Sequence, residues 1–199
     1  MTWIHGVGCV SALGADWTTT DDRLDAGATG VSRIQRFDVR GFDCQAAAPV
    51  SDDALSAAVD RVSTRCEVSP PEGALLEPRV AMTWLAATEA WAQAGLDTQR
   101  VGVFIGAESG FARYPFAFDL SRAAGGGRTF DHEAFARDGE AVMQRAKHSD
   151  ELKPAAALAA SFGFEGPVGA PAMACASGLA AVVEGVRSIA VGECDAAIC

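Results

Sequence analysis

The sequence is poor in the residues that mark metal, disulfide, nucleic-acid and membrane chemistry. Its three histidines, His5, His132 and His148, are scattered, and its six cysteines, at 9, 44, 66, 175, 194 and 199, include no C-x-x-C pair. Neither a metal site nor a disulfide framework is therefore expected. Lys and Arg number 16 against 26 Asp and Glu, for a formal charge of −10. That balance argues against general nucleic-acid binding, because affinity for phosphates comes from clustered cations. A local basic group, Arg145, Lys147 and Lys153, reads as a solvated face. No apolar run reaches the roughly 18 residues of a membrane span, and the start MTWIHGVG lacks the basic opening and long apolar centre of a signal peptide. A cytoplasmic protein with no membrane span is expected.

What is present is an ordinary globular composition, 49% hydrophobic and 21% charged over 199 residues. No internal repeat, low-complexity tract or domain linker interrupts it. Trp3 to Val10 reads as a short apolar strand running into a turn at Ser11 to Gly14. Gly6 and Gly8 invite a dinucleotide-binding fingerprint, but the third glycine of G-x-G-x-x-G falls on Ser11, and Gly14 comes three residues too late. Asp16 or Thr18 caps a helix over about 19–26, and Gln45 to Val50 suggests a short strand. Ser51-Asp52-Asp53 opens a helix with Leu55, Ala58, Val59, Val62 and Cys66 on one side. A second helix follows Pro78, with Val80, Trp84, Ala87, Trp91 and Ala94 on one stripe, and stops at Gly95.

Arg100 to Gly106, RVGVFIG, is apolar without alternation, as a parallel strand covered on both faces should be. Helices and strands in this order predict an α/β layered fold. From about 107 to 150 the pattern changes to an aromatic-rich excursion (Phe111, Tyr114, Phe116, Phe118), three glycines from Gly125, and a helix around Glu133 to Arg145. Its roles as lid, pocket wall, oligomer contact or plain surface excursion stay open.

The most informative stretch is the last. An Ala-rich helix over Leu152 to Phe162 leads through a Gly-Pro turn to a strand that Pro167 and Pro171 keep short. Four small residues, Ala174, Cys175, Ala176 and Ser177, then join that strand to an apolar helix ending at Gly192, which reads as central and buried. A thiol at such an elbow lies beside unpaired backbone N–H groups and the positive end of the helix dipole, both of which favour the thiolate. Taken alone, a cysteine among small apolar residues also fits an inert packed interior.

Four segments together resemble the N-terminal half of the β-ketoacyl-acyl carrier protein synthases, condensing enzymes of the thiolase-like fold. They are Gly6 to Gly14, Arg100 to Gly106 with its preceding helix, Phe162 to Pro167, and Ala174-Cys175-Ala176-Ser177-Gly178, the most specific. The resemblance implies that residues 1–199 form a thiolase-like N-terminal half with Cys175 as acyl-accepting nucleophile and no cofactor. It implies acyl transfer from an acyl carrier protein or coenzyme A thioester, followed by decarboxylative Claisen condensation with a malonyl thioester. The Cys175 N–H would be one oxyanion donor. Ser109 would approach the acyl pocket, and Val168 to Ala172 would pair across a dimer axis, either in a homodimer or with another thiolase-like chain.

Departures from the family pattern limit these expectations. The two histidines that assist decarboxylation belong to the family's C-terminal half, and His5, His132 and His148 match neither. Met173 stands where the family often has a hydroxyl residue. The closing strand over Asp195 to Cys199 stops without a polar tail, which suggests a partial sequence or a free-standing half. A noncatalytic scaffold or chain-length-setting partner of another synthase is the alternative reading, since fold alone does not fix function.

Overall fold

In the computed structural model, which describes residues 2–66, 68–72, 74–107, 120–126, 129–146 and 153–199, the strand predicted over 100–106 lies at the centre. This is β3, Val101–Phe104, and all four of its residues are buried. Two minor strands precede it, β1 (Ser32–Arg33) and β2 (Ala46–Ala47), which pair antiparallel. To its sides run β4 (Val168–Gly169) and β5 (Ala196–Ile198), both parallel to it, in the order β4-β3-β5. The absence of alternation in RVGVFIG thus reflects cover on both faces, as in other parallel sheets.

Helices supply that cover. On one face α2 (Asp52–Ser63), α3 (Pro78–Ala94) and α5 (Lys153–Phe162) build the core, where Leu55, Val59, Trp84, Leu85 and Leu158 meet Val103. Burying such a side chain contributes about 1.5–3 kcal/mol each. Local sequence explains the helix ends. Ser51 accepts the Ala54 N–H and Asp52 and Asp53 sit in the first turn of α2, Pro78 opens α3, and Gly95 closes it in the left-handed region at φ 59°. On the other face the neighbouring side chains of β3 point toward α6 (Ser177–Ala190): the Phe104 ring lies 3.7 Å from where a Cβ on Gly185 would stand. Two further helices are α1 (Trp17–Asp25), capped by Asp16, and α4 (His132–Ala146), the helix predicted at 133–145.

Three expectations change. Trp3 to Val10 is not hydrogen-bonded into a sheet; it lies on α3 instead. Cβ atoms on Gly6 and Gly8 would stand 2.0 and 1.8 Å from the Ala90 and Ala86 carbonyl oxygens, while the Val7 N–H donates to Gln93 and the Cys9 N–H to Glu89. Two residues of extended chain span about 6.6 Å, close to the roughly 6 Å of four helical residues. The glycine pair therefore matches the i, i+4 repeat of a helix and is a packing strip, which accounts for it without a nucleotide. Of the strand predicted over 45–50, only Ala46–Ala47 pairs.

The third change concerns α6. Its buried residues are the small ones, Ser177, Ala181, Gly185 and Ser188, whereas Leu179 and Val183 are 70% and 56% exposed, with Val182 and Val186 also outward. The small stripe is what lets the helix settle onto β3 and β5: a Cβ on Gly185 would stand 2.5 Å from the Cys199 sulfur. The larger apolar residues face away from the sheet, so the all-round apolar pattern does not produce all-round burial among the described residues.

Candidate active site

The chain reaches the predicted elbow along the edge of the sheet. Ile105 and Ala107 donate N–H bonds to Gly169 and Pro171, each 3.0 Å, so the segment after β4 stays beside β3 to a last bridge between Ala107 and Ala172. Proline at 167 and 171 costs this pairing nothing, because both contribute only their carbonyls. The chain then turns through a 3-10 segment, Ala174–Ala176, directly into α6.

The turn has an unusual backbone. Ala174 lies at φ 50°, and it is the only non-glycine residue at positive φ among the described residues. An L-residue in that region costs roughly 1–2 kcal/mol, so surrounding bonds must hold it. They come mainly from Ser177. Its hydroxyl accepts the Met173 N–H at 2.9 Å and donates to the Ala174 carbonyl at 2.7 Å, while the Ala176 N–H reaches the Met173 carbonyl at 3.1 Å. Beneath the turn runs Gly106, where a Cβ would stand 2.7 Å from the Gly178 nitrogen and the Ser177 carbonyl carbon. Strand end and helix start therefore meet backbone to backbone.

Cys175 rides on the crest of this turn and is exposed. None of the hydrogen bonds among the described residues uses its N–H. The site thus offers a solvent-accessible thiol, an N–H without a hydrogen-bond partner among the described residues, and the N-terminal end of a 14-residue helix. The other cysteines differ in setting. Cys194 is buried, and burial pushes its thiol up; Cys199 is exposed as a residue, yet its sulfur is tucked against Gly185, and desolvation followed by the charge of Cys194 pushes it to about 11.

Ser109 and His148 lie outside the described residues, as do Phe111, Tyr114, Phe116 and Phe118. His5 and His132 are exposed, and His132 packs on Phe130 with ring centroids 4.9 Å apart. No group of three or more His, Cys, Asp or Glu residues capable of holding a metal ion occurs among the described residues. Met173, 62% exposed, flanks the turn. Ser177 and Gly106 emerge as the structural supports of the elbow. Sequence reading passed over both, although two signals were there: a hydroxyl inside a run of small residues, and a glycine closing a core strand.

Fold and site together define an α/β domain that presents one accessible thiol where a parallel strand gives way to a helix. Comparison with known proteins assigns that domain. The family described as Beta-ketoacyl synthase, N-terminal domain, matches residues 3–199, and the chain belongs to the β-ketoacyl synthase family. It is similar to a protein of Streptomyces halstedii named "Putative polyketide beta-ketoacyl synthase 1", with 30% identity over 198 residues. That alignment covers 96% of this chain and 43% of the relative, so the chain spans less than half the relative's length.

Proposed function

We propose that this chain is the thiolase-like, acyl-accepting half of a condensing enzyme, with Cys175 as its nucleophile. The observation that carries this reading is the exposed Cys175 thiol, beside its own N–H that has no partner among the described residues, on the strand-to-helix turn of a β-ketoacyl synthase N-terminal domain. The Cys175 sulfur attacks the carbonyl of an acyl thioester carried by an acyl carrier protein or coenzyme A. The resulting oxyanion is received by the Cys175 N–H and the helix terminus. The donor C–S bond then breaks, and the carrier thiol leaves with the proton. In the second half-reaction a malonyl thioester loses carbon dioxide, and its electron pair attacks the acyl-enzyme. A C–C bond forms and the Cys175 thiolate is released. That second step calls on further groups, because among the described residues no histidine hydrogen-bonds to the turn. Edge strand β4 pairs with a second thiolase-like chain, and Ser109 takes part in substrate binding.

The exposed apolar face of α6, Leu179, Val182, Val183 and Val186, also favours a second reading: a noncatalytic partner that covers, or sets the chain length of, another synthase. Malonyl-dependent release of carbon dioxide and formation of a β-ketoacyl thioester separate the two. The first reading predicts product once the remainder of a synthase is supplied, and none from the Cys175→Ala chain under the same conditions. Equal product from both chains sinks the nucleophile and leaves the partner reading.

A further inference from the structure

Ser177 is conspicuous because its hydroxyl does not do what a helix-start serine ordinarily does. A capping serine points forward, to the N–H two or three residues ahead. Ser177 is instead the first residue of α6, and its hydroxyl points back over the 3-10 turn, where it serves as acceptor for Met173 and donor to Ala174. It is buried while the thiol two residues earlier is exposed. A hydroxyl fills both roles at once, as a strong donor and a strong acceptor; among uncharged side chains of this size only a thiol also does both, and weakly. The two partners bracket Ala174, the residue held at φ 50°. Rotation of Ala174 out of that region would swing the plane that carries the Cys175 N–H. The hydroxyl thus fixes the direction of the group that receives the oxyanion, while Gly106 supports the turn from below.

We propose that Ser177 is a positioning residue for acyl transfer: by holding Ala174 in the left-handed region it aims the Cys175 N–H at the developing oxyanion. The inference rests on Cys175 being the acyl acceptor. It separates two reactions of the same sulfur. Attack on a thioester builds an oxyanion and needs the aimed N–H, whereas alkylation by iodoacetamide displaces iodide and builds none.

The test measures both rates on the full chain, as acyl transfer from an acyl-coenzyme A thioester and as iodoacetamide labelling, each mapped to the Cys175 peptide. Ser177→Ala is expected to lower the ratio of acylation to alkylation about ten- to a hundredfold, the scale of a small misplacement at a reacting centre. Ser177→Thr, which keeps the hydroxyl, retains a ratio within about threefold of the parent on the same scale. Ala174→Gly combined with Ser177→Ala recovers most of the loss, because glycine occupies positive φ without being held there. If Ser177→Ala does not fold but the double variant folds with a near-parental ratio, the proposal stands. Failure of both to fold assigns the hydroxyl to folding and overturns it. An unchanged ratio in folded Ser177→Ala also overturns it, with Cys175 still the acceptor. No acylation of the parent chain overturns the acyl-acceptor reading and this inference together.

Discussion

Replacing Gly106 by alanine should destabilise the chain and slow acyl transfer together, because one contact serves both. The new Cβ would stand 2.7 Å from the Gly178 nitrogen and the Ser177 carbonyl carbon and 2.9 Å from the Gly178 Cα. Carbon atoms rest about 3.5–4.0 Å apart, so the turn must retreat on the order of an ångström from β3. All three opposing atoms are backbone, and no flexible side chain can yield instead. Overpacking of this kind costs about 1–3 kcal/mol. In a chain of this length each kcal/mol lowers the melting midpoint by about 2–4 °C. The same retreat shifts Cys175 and its N–H, and a displacement near 1 Å can cost up to about a hundredfold in rate.

A control sits across the same contact. A Cβ on Gly178 would meet nothing within 4 Å, so Gly178→Ala is expected to be neutral or slightly stabilising. The assay pairs urea denaturation followed by circular dichroism with acylation of Cys175 measured by peptide mass. Gly106→Ala with parental stability and a parental acylation rate would refute the argument that the elbow rests on this glycine. A loss of equal size in Gly178→Ala would refute it as well, by showing that the site tolerates no methyl group on either side.

The remaining expectations concern other parts of the chain. Asp16→Ala should cost about 1 kcal/mol in urea denaturation at pH 7, since the Asp16 carboxylate accepts the Thr19 N–H at 2.7 Å and caps α1. That backbone hydrogen bond holds the Asp16 carboxyl below its usual 3.8, so its contribution is present above that value and fades as pH falls through the lower folded one; the gap between parent and variant should narrow in acid. Among the thiols, Cys175 should be alkylated by iodoacetamide at pH 8 well before Cys194 and Cys199, whose desolvation keeps them protonated, and equal rates would contradict the desolvation of those two sulfurs. Val183→Lys should change the stability of this chain by no more than about 0.5 kcal/mol, because its side chain faces outward; a loss of several kcal/mol would restore the fully buried helix expected from hydropathy.

That helix shows where sequence reading stops. An apolar pattern reveals what a surface would rather touch, and α6 is apolar nearly all round, but it does not reveal whether a second layer is at hand. The small residues Ala181 and Gly185 proved more informative than the large ones, since they mark the side that meets the sheet. Core elements with local causes were legible: Ser51 and Gly95 punctuate α2 and α3, and RVGVFIG is the buried parallel strand. Segments that depend on distant partners were not. Trp3 to Val10 has strand composition, yet its alternating glycines fit it to a helix, a distinction that only the position of Ala86 and Ala90 makes visible. At the elbow the cysteine was legible from its small neighbours and its place between strand and helix. The left-handed Ala174 and the backward-pointing Ser177 hydroxyl were not, because alanine carries no signature of positive φ and a serine at a helix start suggests a forward cap.

The central claim, that Cys175 accepts an acyl group, is tested most directly by incubating the chain with an acyl-carrier-protein or acyl-coenzyme A thioester and resolving the acyl mass by peptide. The account predicts one acyl group on the peptide containing Cys175, removed by hydroxylamine as a thioester must be and absent from Cys175→Ala. An acyl mass on any other cysteine, or none on a chain whose Cys175 still takes up iodoacetamide, would contradict it.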